Sequence, residues 1–333
     1  MEKNTQQPEC RINILSVGDA HRRAPEIVRS DEDRCLLKEI SQIVVSDASV
    51  VGDNADYHNL AATYARLDDY MSAFEIVAKG LKQFPYDVDL LADAIKYGSK
   101  CGKVTESKEY LSVLLSRPFT FWNWRTFTFV IDFYLLSITW ENPETTEETL
   151  QEALKIATEY QTLAPTEERG FVAEAEIYLA SSDVESAINV LKNAIYEHQE
   201  ILTPQCCIKY ADILAERGEF EKVIEVCTRG LIVTAQDQPT ARTGYFCYLS
   251  ALAKDALIHR DGAFKDGKRI LDAYIDYKTA YKLLKTTPRY IENILNRTEI
   301  LSAKSGISFS IDDVSSDVKL KELVELLSSN DKS

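Results

Sequence analysis

The stretch Tyr57-His-Asn-Leu60-Ala61-Ala-Thr-Tyr64-Ala-Arg-Leu-Asp-Asp-Tyr70 decides the fold of this 333-residue chain. Its apolar and small residues recur at the three- and four-residue spacing of a helix, and Asp68 and Asp69 then mark a polar turn. A second helical run follows and stops at Pro85. The segment therefore predicts two antiparallel helices joined by a short turn. The apolar face of the second helix is formed by Ala73, Val77, Gly80 and Leu81.

The same layout returns downstream, around Tyr210 to Phe220 and around Ala175 to Asp183. A small or compact residue recurs in the second helix of each hairpin, at steps of 34, 46, 34 and 36 residues. Such a residue is needed where two helices cross closely, so its recurrence predicts a stack of helical hairpins. These positions are Ala73, Ser107, Ala153, Ala187 and Val223.

The residues of the first hairpin resemble the tetratricopeptide repeat (TPR), a helical hairpin of about 34 residues. The unit with its turn at Gly218 resembles the repeat in its second half, and the unit that contains Glu174 resembles it less closely. The resemblance covers residues 54–235 and extends towards 288. It implies an all-α, right-handed superhelical solenoid of antiparallel hairpins with N- and C-terminal capping helices. The matching residues are Tyr57, Leu60, Ala61, Tyr64, Ala73, Val77, Gly80 and Pro85.

The predicted organisation has three parts. Residues 1–30 form an N-terminal extension that is partly disordered, residues 31–305 form a repeat domain of five to six hairpins, and residues 306–333 form a linker and a C-terminal capping helix. Insertions near 139–148 and 259–267 lengthen two hairpins. Helices at 31–45, 289–304 and about 316–328 are expected to cover the ends of the stack.

The composition restricts the classes of function. The formal net charge is -15 and the pI is near 4.9, so nucleic-acid binding is not expected unless cations cluster locally. Residues 239–333 do carry a net charge of +2. The polar start lacks a signal peptide, no window has the length of a membrane helix, and seven scattered cysteines favour a reducing compartment. A cytoplasmic protein is predicted.

Catalytic chemistry is not indicated. The four histidines occur outside metal-ligand spacings, and neither a phosphate-binding loop nor a nucleophile elbow is present. Cys206 and Cys207 are interpreted as buried thiols because no histidine is placed to activate them. We therefore expect no enzyme activity, no metal and no cofactor.

The resemblance implies that the first helix of each hairpin lines a concave groove. Two interpretations of the groove residues remain: they are ordinary solvated positions, or the cations near its start receive acidic side chains or a C-terminal carboxylate. The Lys/Asn clamp of chaperone-binding relatives is not reproduced, because His58 and Ala62 stand at its positions. The candidate groove residues are His58, Arg66, Lys96, Lys100, Arg169, Glu176, Gln205, Asp212 and Glu216.

Residues 118–129 are rich in aromatic side chains. The i, i+3 series of Phe121, Trp124 and Phe127 is typical of packed core. Trp122 and Phe129 fall outside that series, and they form either core or an interaction surface for a partner or a second copy of the chain.

The predicted function is therefore a scaffold or adaptor that binds a peptide or protein partner in its concave groove. One alternative is a regulatory TPR protein that responds to a ligand or peptide. Another is a nucleic-acid-binding accessory protein that uses the basic 239–305 region. That region contains Arg242, Lys254, Arg260, Lys265, Lys268 and Arg269.

Overall fold

The structure is a computed structural model that describes residues 52–138, 143–198, 202–234, 239–307 and 311. Within these ranges it contains thirteen α-helices and no strand. The prediction of an all-α fold built from antiparallel hairpins is confirmed. Contacts divide the chain into two compact units, of which unit 1 ends at Ala164 and unit 2 begins at Pro165. The repeat region, predicted as one domain, thus consists of two units.

Unit 1 contains three hairpins. A 3₁₀ turn, Phe119–Phe121, lies between the second and the third. In chain order the helices are α1 (Asn54–Arg66), α2 (Tyr70–Gln83), α3 (Val88–Lys100), α4 (Val104–Leu115), α5 (Trp124–Ile138) and α6 (Pro143–Leu163).

Within the described residues, unit 2 contains three further hairpins and, after them, one more helix. The second helix of its first hairpin continues into a π-helical turn, Asn193–Glu197. The helices are α7 (Arg169–Ala180), α8 (Val184–Lys192), α9 (Pro204–Glu216), α10 (Phe220–Thr234), α11 (Ala241–Asp261), α12 (Gly267–Leu283) and α13 (Pro288–Ser305).

Aspartates begin many of these helices. The Asp53 side chain accepts from the Asp56 backbone N–H in a capping box, and Asp69 and Asp87 accept from Ser72 and Leu90. A carboxylate at this position satisfies an otherwise unpaired N–H and interacts favourably with the helix dipole. Part of the acidic composition therefore stabilises local structure.

The turn inside four hairpins has one shared geometry. A residue with positive φ, at Asp68, Gly102, Ser182 or Gly218, separates the two helices. The next backbone N–H then donates to a carbonyl five residues earlier, as from Asp69 to the Tyr64 oxygen at 3.0 Å. These bonds satisfy carbonyls at the helix end, and they hold the second helix antiparallel to the first.

The five recurring positions predicted at helix crossings are fully buried, at 0% exposure each: Ala73, Ser107, Ala153, Ala187 and Val223. A glycine marks an even closer approach between α10 and α11. A Cβ atom added to Gly230 would lie 2.3 Å from the Phe246 Cζ, well inside van der Waals contact. The spacing rule therefore identified residues that are fully buried in the structure.

Some boundaries differ from the predictions. Helix α6 begins at Pro143, because proline fits the first turn of a helix, so the loop predicted at 141–148 is helical over most of its length. Of the insertion predicted near 259–267, residues 259–261 end α11, residues 262–266 form a turn that contains Gly262, and Gly267 begins α12. The predicted helix at 289–304 is confirmed as α13. The extension 1–30 and the helices predicted at 31–45 and 316–328 lie outside the described residues.

None of the described helices is both long enough and apolar enough to cross a lipid bilayer.

Candidate partner-binding site

Three helices of unit 1 share one face. Helix α3 packs against both α1 and α5. Side chains from α1 and α5 nevertheless meet, because Arg125 Nη1 lies 3.0 Å from His58 Nε2. Side chains of α1, α3 and α5 therefore meet on one face of unit 1.

Asp93 is buried beneath this face and binds two of its side chains, His58 and Arg125. Its side chain is 0% exposed, and its Oδ1 accepts from Arg125 Nη2 at 2.9 Å. Its Oδ2 is hydrogen-bonded to His58 Nδ1. A buried carboxylate is tolerated when both of its oxygens are paired, and here both are. Asp93 consequently fixes the orientations of His58 and Arg125.

The contacts of His58 define where its proton lies. A guanidinium group can donate hydrogen bonds but cannot accept them. His58 Nε2 must therefore accept from Arg125, and the ring proton lies on Nδ1, which donates to Asp93. In this arrangement His58 is neutral, and the two charged groups are Asp93 and Arg125.

Lys96 and Arg125 share one aromatic ring. The Lys96 Nζ lies 3.9 Å from the centroid of Phe129, and the Arg125 Cζ lies 5.3 Å from the same centroid. Burial lowers the pKa of Lys96; Asp93 and Asp132 oppose that shift, whereas Arg125 and Lys100 add to it. The two cations are attracted to the ring but repel each other. An anion bound between them would relieve that repulsion.

Further residues complete the face. Lys100 lies one turn beyond Lys96 and is exposed. Arg66 is exposed at the end of α1 and acts electrostatically on Tyr97 of α3. The predicted residues His58, Arg66, Lys96 and Lys100 thus occur on the neighbouring helices α1 and α3. We call His58, Arg66, Lys96, Lys100 and Arg125 the basic face.

Two of the functional residues were not found from the sequence. Asp93 had a usable signal, because it interrupts the apolar run from Leu90 to Ile95 and a charged residue on a buried helix face requires a partner. Arg125 had a weaker signal, since its position depends on how the segment before α5 folds.

Burial decides between the two alternatives left open for Trp122 and Phe129. Trp122 is 7% exposed and Phe129 is 8% exposed, so both belong to the core and they do not form an interaction surface. The ring of Trp122 packs at 4.8 Å from Phe119 and at 5.1 Å from Phe127.

The exposed aromatic residues of this segment are instead Phe121, at 62%, and Trp124, at 44%. The helical period of Phe121, Trp124 and Phe127 predicts that all three belong to the core. This prediction is wrong for Phe121 and Trp124, because Phe121 belongs to the 3₁₀ turn and α5 begins only at Trp124, so the three residues do not share one helix. Phe127, inside the helix, is buried as predicted and stacks on Tyr160 at 4.6 Å.

The groove residues predicted in unit 2 have local partners. Glu176 pairs with Lys209 at 2.7 Å, and Asp212 accepts from the Tyr245 hydroxyl at 3.1 Å. Burial raises the pKa of Asp212. The remaining three lie at helix ends: Arg169 is 3.7 Å from Glu167, the Gln205 backbone N–H donates to Glu168 at 2.7 Å, and Glu216 is exposed at the end of α9.

Three of the six cations named in the basic 239–305 region are paired with carboxylates. Lys254 lies 3.0 Å from Asp272 and 2.8 Å from Asp276. Arg260 and Arg269 both pair with Asp261. These contacts disfavour a strip of cations that would follow a phosphate backbone.

The adjacent thiols Cys206 and Cys207 belong to the hydrophobic core of unit 2. Cys206 and Cys207 are buried, and burial raises the pKa of Cys207 to about 11, so the thiol form prevails. Within the ranges that the structure covers, no group of three His, Cys, Asp or Glu residues could hold a metal ion.

Three solved structures are similar to this chain. They are TTC0263, a thermophilic TPR protein of Thermus thermophilus (17% identity, 62% of this chain and 99% of that chain, TM-score 0.45), and a TPR protein of Parabacteroides merdae (14%, 86% and 97%, TM-score 0.48). The third is the human IFIT1 dimer with PPP-AAAA (15%, 95% and 69%, TM-score 0.42). No protein-family model and no curated protein matches the sequence.

Proposed function

We propose that this protein is an interaction scaffold whose unit 1 binds an anionic segment of a protein partner on the basic face. The observation that carries the proposal is the pair of cations over Phe129, since Lys96 Nζ and the Arg125 guanidinium both lie against that ring. A ring face attracts a cation without neutralising it. The ring therefore leaves the positive charge of Lys96 in place, whereas the charge of Arg125 is also paired with Asp93.

The charge balance of the face supports an anionic ligand. Asp93 is buried and both of its oxygens are already paired with His58 and Arg125. Lys96 and exposed Lys100 add two positive charges on the same helix, against the one negative charge of exposed Asp132 on α5, which acts electrostatically on Lys96. Carboxylates of a bound segment would accept charge-assisted hydrogen bonds from these groups.

The rigidity of the face supports a peptide or protein as the ligand. Its side chains project from three packed helices, and two of them are held by a buried carboxylate. A surface held in place before binding loses little conformational entropy when a chain docks on it. A concave helical surface can also contact several successive residues of an extended segment.

The test is a titration of the full chain with an end-blocked oligoglutamate peptide, followed by fluorescence anisotropy. The double variant Lys96→Glu and Lys100→Glu should weaken binding by about a hundredfold, because it replaces attraction by repulsion at two adjacent positions. A second peptide with a free C-terminal carboxylate shows whether the chain terminus adds affinity beyond the acidic side chains.

The matched control is the double variant Lys82→Glu and Lys155→Glu. These lysines belong to α2 and α6, the second helices of their hairpins, and the net charge changes by the same amount. Binding should fall only a fewfold. Equal losses in the two double variants would reject the basic face as the site, and circular dichroism verifies that all variants are folded.

A further inference from the structure

The bond between Arg125 and His58 depends on the protonation of the histidine. Arg125 Nη1 donates to His58 Nε2 at 3.0 Å, which requires that nitrogen to carry no proton. The opposite nitrogen, Nδ1, already holds its proton in the bond to Asp93. A proton added to His58 can therefore enter only at Nε2, directly against Arg125.

We propose that protonation of His58 releases Arg125 Nη1 to an anionic ligand, so that the basic face binds acidic segments more tightly as the pH falls. This inference rests on the proposed function and assigns a regulation to the same site. The ligand carboxylate and the neutral histidine compete as acceptors for one guanidinium nitrogen. Protonation of His58 at Nε2 removes the histidine from this competition and leaves the carboxylate as the acceptor.

The groups around His58 determine which side chain shifts when the histidine is protonated. The charged and titratable groups nearest to it are Asp93 on α3 and Arg125 on α5, and Lys96 and Tyr97 on α3 interact electrostatically with both. Asp93 keeps its bond to Nδ1 in either protonation state. The imidazole ring therefore stays in place, while its Nε2 edge changes from an acceptor into a donor.

Arg125 is the group that must respond. With a donor at Nε2, two N–H groups would face each other at 3.0 Å, which is a repulsive arrangement. Arg125 can keep its 2.9 Å bond from Nη2 to Asp93 and turn Nη1 outwards, because its side chain is 27% exposed. A carboxylate oxygen of the bound segment then replaces the histidine nitrogen as acceptor.

The sign of the pH effect follows from linkage. The protonated face carries one more positive charge, and a ligand that binds this state better takes up a proton on binding. Its affinity must therefore rise on acidification. One added charge at a distance of a few ångströms in a partly solvated site corresponds to an increase of about five- to tenfold.

The binding experiment uses the full chain and the end-blocked oligoglutamate peptide between about pH 8 and about pH 5.5, where histidine titrates and glutamate stays largely ionised. Wild-type affinity should rise over this range. His58→Gln has an amide in place of the imidazole and cannot take up a proton in this range, so its affinity, whatever its value at pH 8, should not rise as the pH falls. His198→Gln, in unit 2, controls for histidine titration elsewhere and should keep the wild-type dependence. The proposal is overturned if His58→Gln retains that dependence.

A second measurement needs no ligand. Nitrogen-15 NMR of the imidazole should show the proton on Nδ1 of His58 near pH 8, and the guanidinium signals of Arg125 should change together with the His58 titration. A proton on Nε2 at pH 8 would refute the proposed release of Arg125. Arg125 signals that do not change while the His58 signals change with pH would refute it as well. If the peptide fails to bind at every pH while these signals still move together, the proposed function fails and the release of Arg125 stands.

Discussion

At the scale of single residues, the basic face depends on one buried carboxylate. Asp93→Asn removes the charge that balances Arg125 and orients His58, and it leaves a partly buried guanidinium with a neutral partner. Removing one member of a fully buried ion pair costs about 3–5 kcal/mol. Because Arg125 and His58 keep 27% and 23% exposure, we expect a loss of about 2–3 kcal/mol in the free energy of unfolding, measured by urea titration.

Asp89→Asn is the matched control for this substitution. Asp89 belongs to the same helix, but its 2.6 Å bond to Asn123 is exposed to solvent. An exposed polar contact contributes little, so the free energy of unfolding should change by less than about 1 kcal/mol. Similar losses in both variants would mean that Asp93 has no special role.

The sequence predicts part of this site and misses part of it for a physical reason. His58, Lys96 and Lys100 follow from the repeat register, because helical geometry fixes which positions share a face. Arg125 reaches the same face after a 3₁₀ turn that breaks the helical period, and the resulting bond spans 67 residues. Periodicity describes local geometry, and it carries no information on such a long-range pairing.

At the scale of helices, Glu168 joins one hairpin to the start of the next. Its Oε2 accepts from the backbone N–H groups of Gln205 at 2.7 Å and Cys206 at 3.1 Å, in the first turn of α9. Burial raises the pKa of Glu168, and the two backbone donors oppose that shift. The folded state therefore holds the Glu168 proton up to a higher pH than the unfolded state does.

This difference predicts the pH dependence of a variant. Stability associated with the raised pKa is fully present below the pKa of an unfolded glutamate, about 4.3, and it is lost as the pH rises through the folded value. Glu168→Gln keeps an oxygen acceptor and has no titration. The free energy of unfolding of the wild type minus that of the variant should thus fall between about pH 4 and neutrality. A difference that is flat or rises with pH would contradict the assignment.

At the scale of the whole molecule, the cysteines provide reporters for each unit. In a variant with Cys10 and Cys35 replaced by serine, half-buried Cys101 reports on unit 1, whereas the buried set, Cys206, Cys207, Cys227 and Cys247, reports on unit 2. Burial raises the pKa of Cys207 and of Cys247 to about 11, so only about one in a thousand of these thiols would be ionised at pH 8. We expect Cys101 to react first with a disulfide reagent.

The four buried thiols should react only when unit 2 opens, and their rate should increase with urea in parallel. Mass spectrometry of the labelled peptides separates the sites. Reaction of Cys206 or Cys247 as fast as Cys101 in the absence of urea would show that the core of unit 2 is accessible to the reagent without unfolding.

The helical composition and hairpin order of both units are predictable from the sequence, whereas their division at Ala164 is not, because the repeat spacing continues through that point.

The contact between His58 and Arg125 has a consequence for how unit 1 unfolds. In an array of repeats each hairpin ordinarily interacts with its immediate neighbours, and the array behaves like a one-dimensional chain of coupled elements. His58 belongs to the first hairpin and Arg125 to the third, so their bond, with Asp93 of the second hairpin beneath it, adds a second-neighbour coupling. Such a coupling disfavours states in which one end hairpin frays alone. The three side chains of the proposed ligand surface thereby couple three successive hairpins.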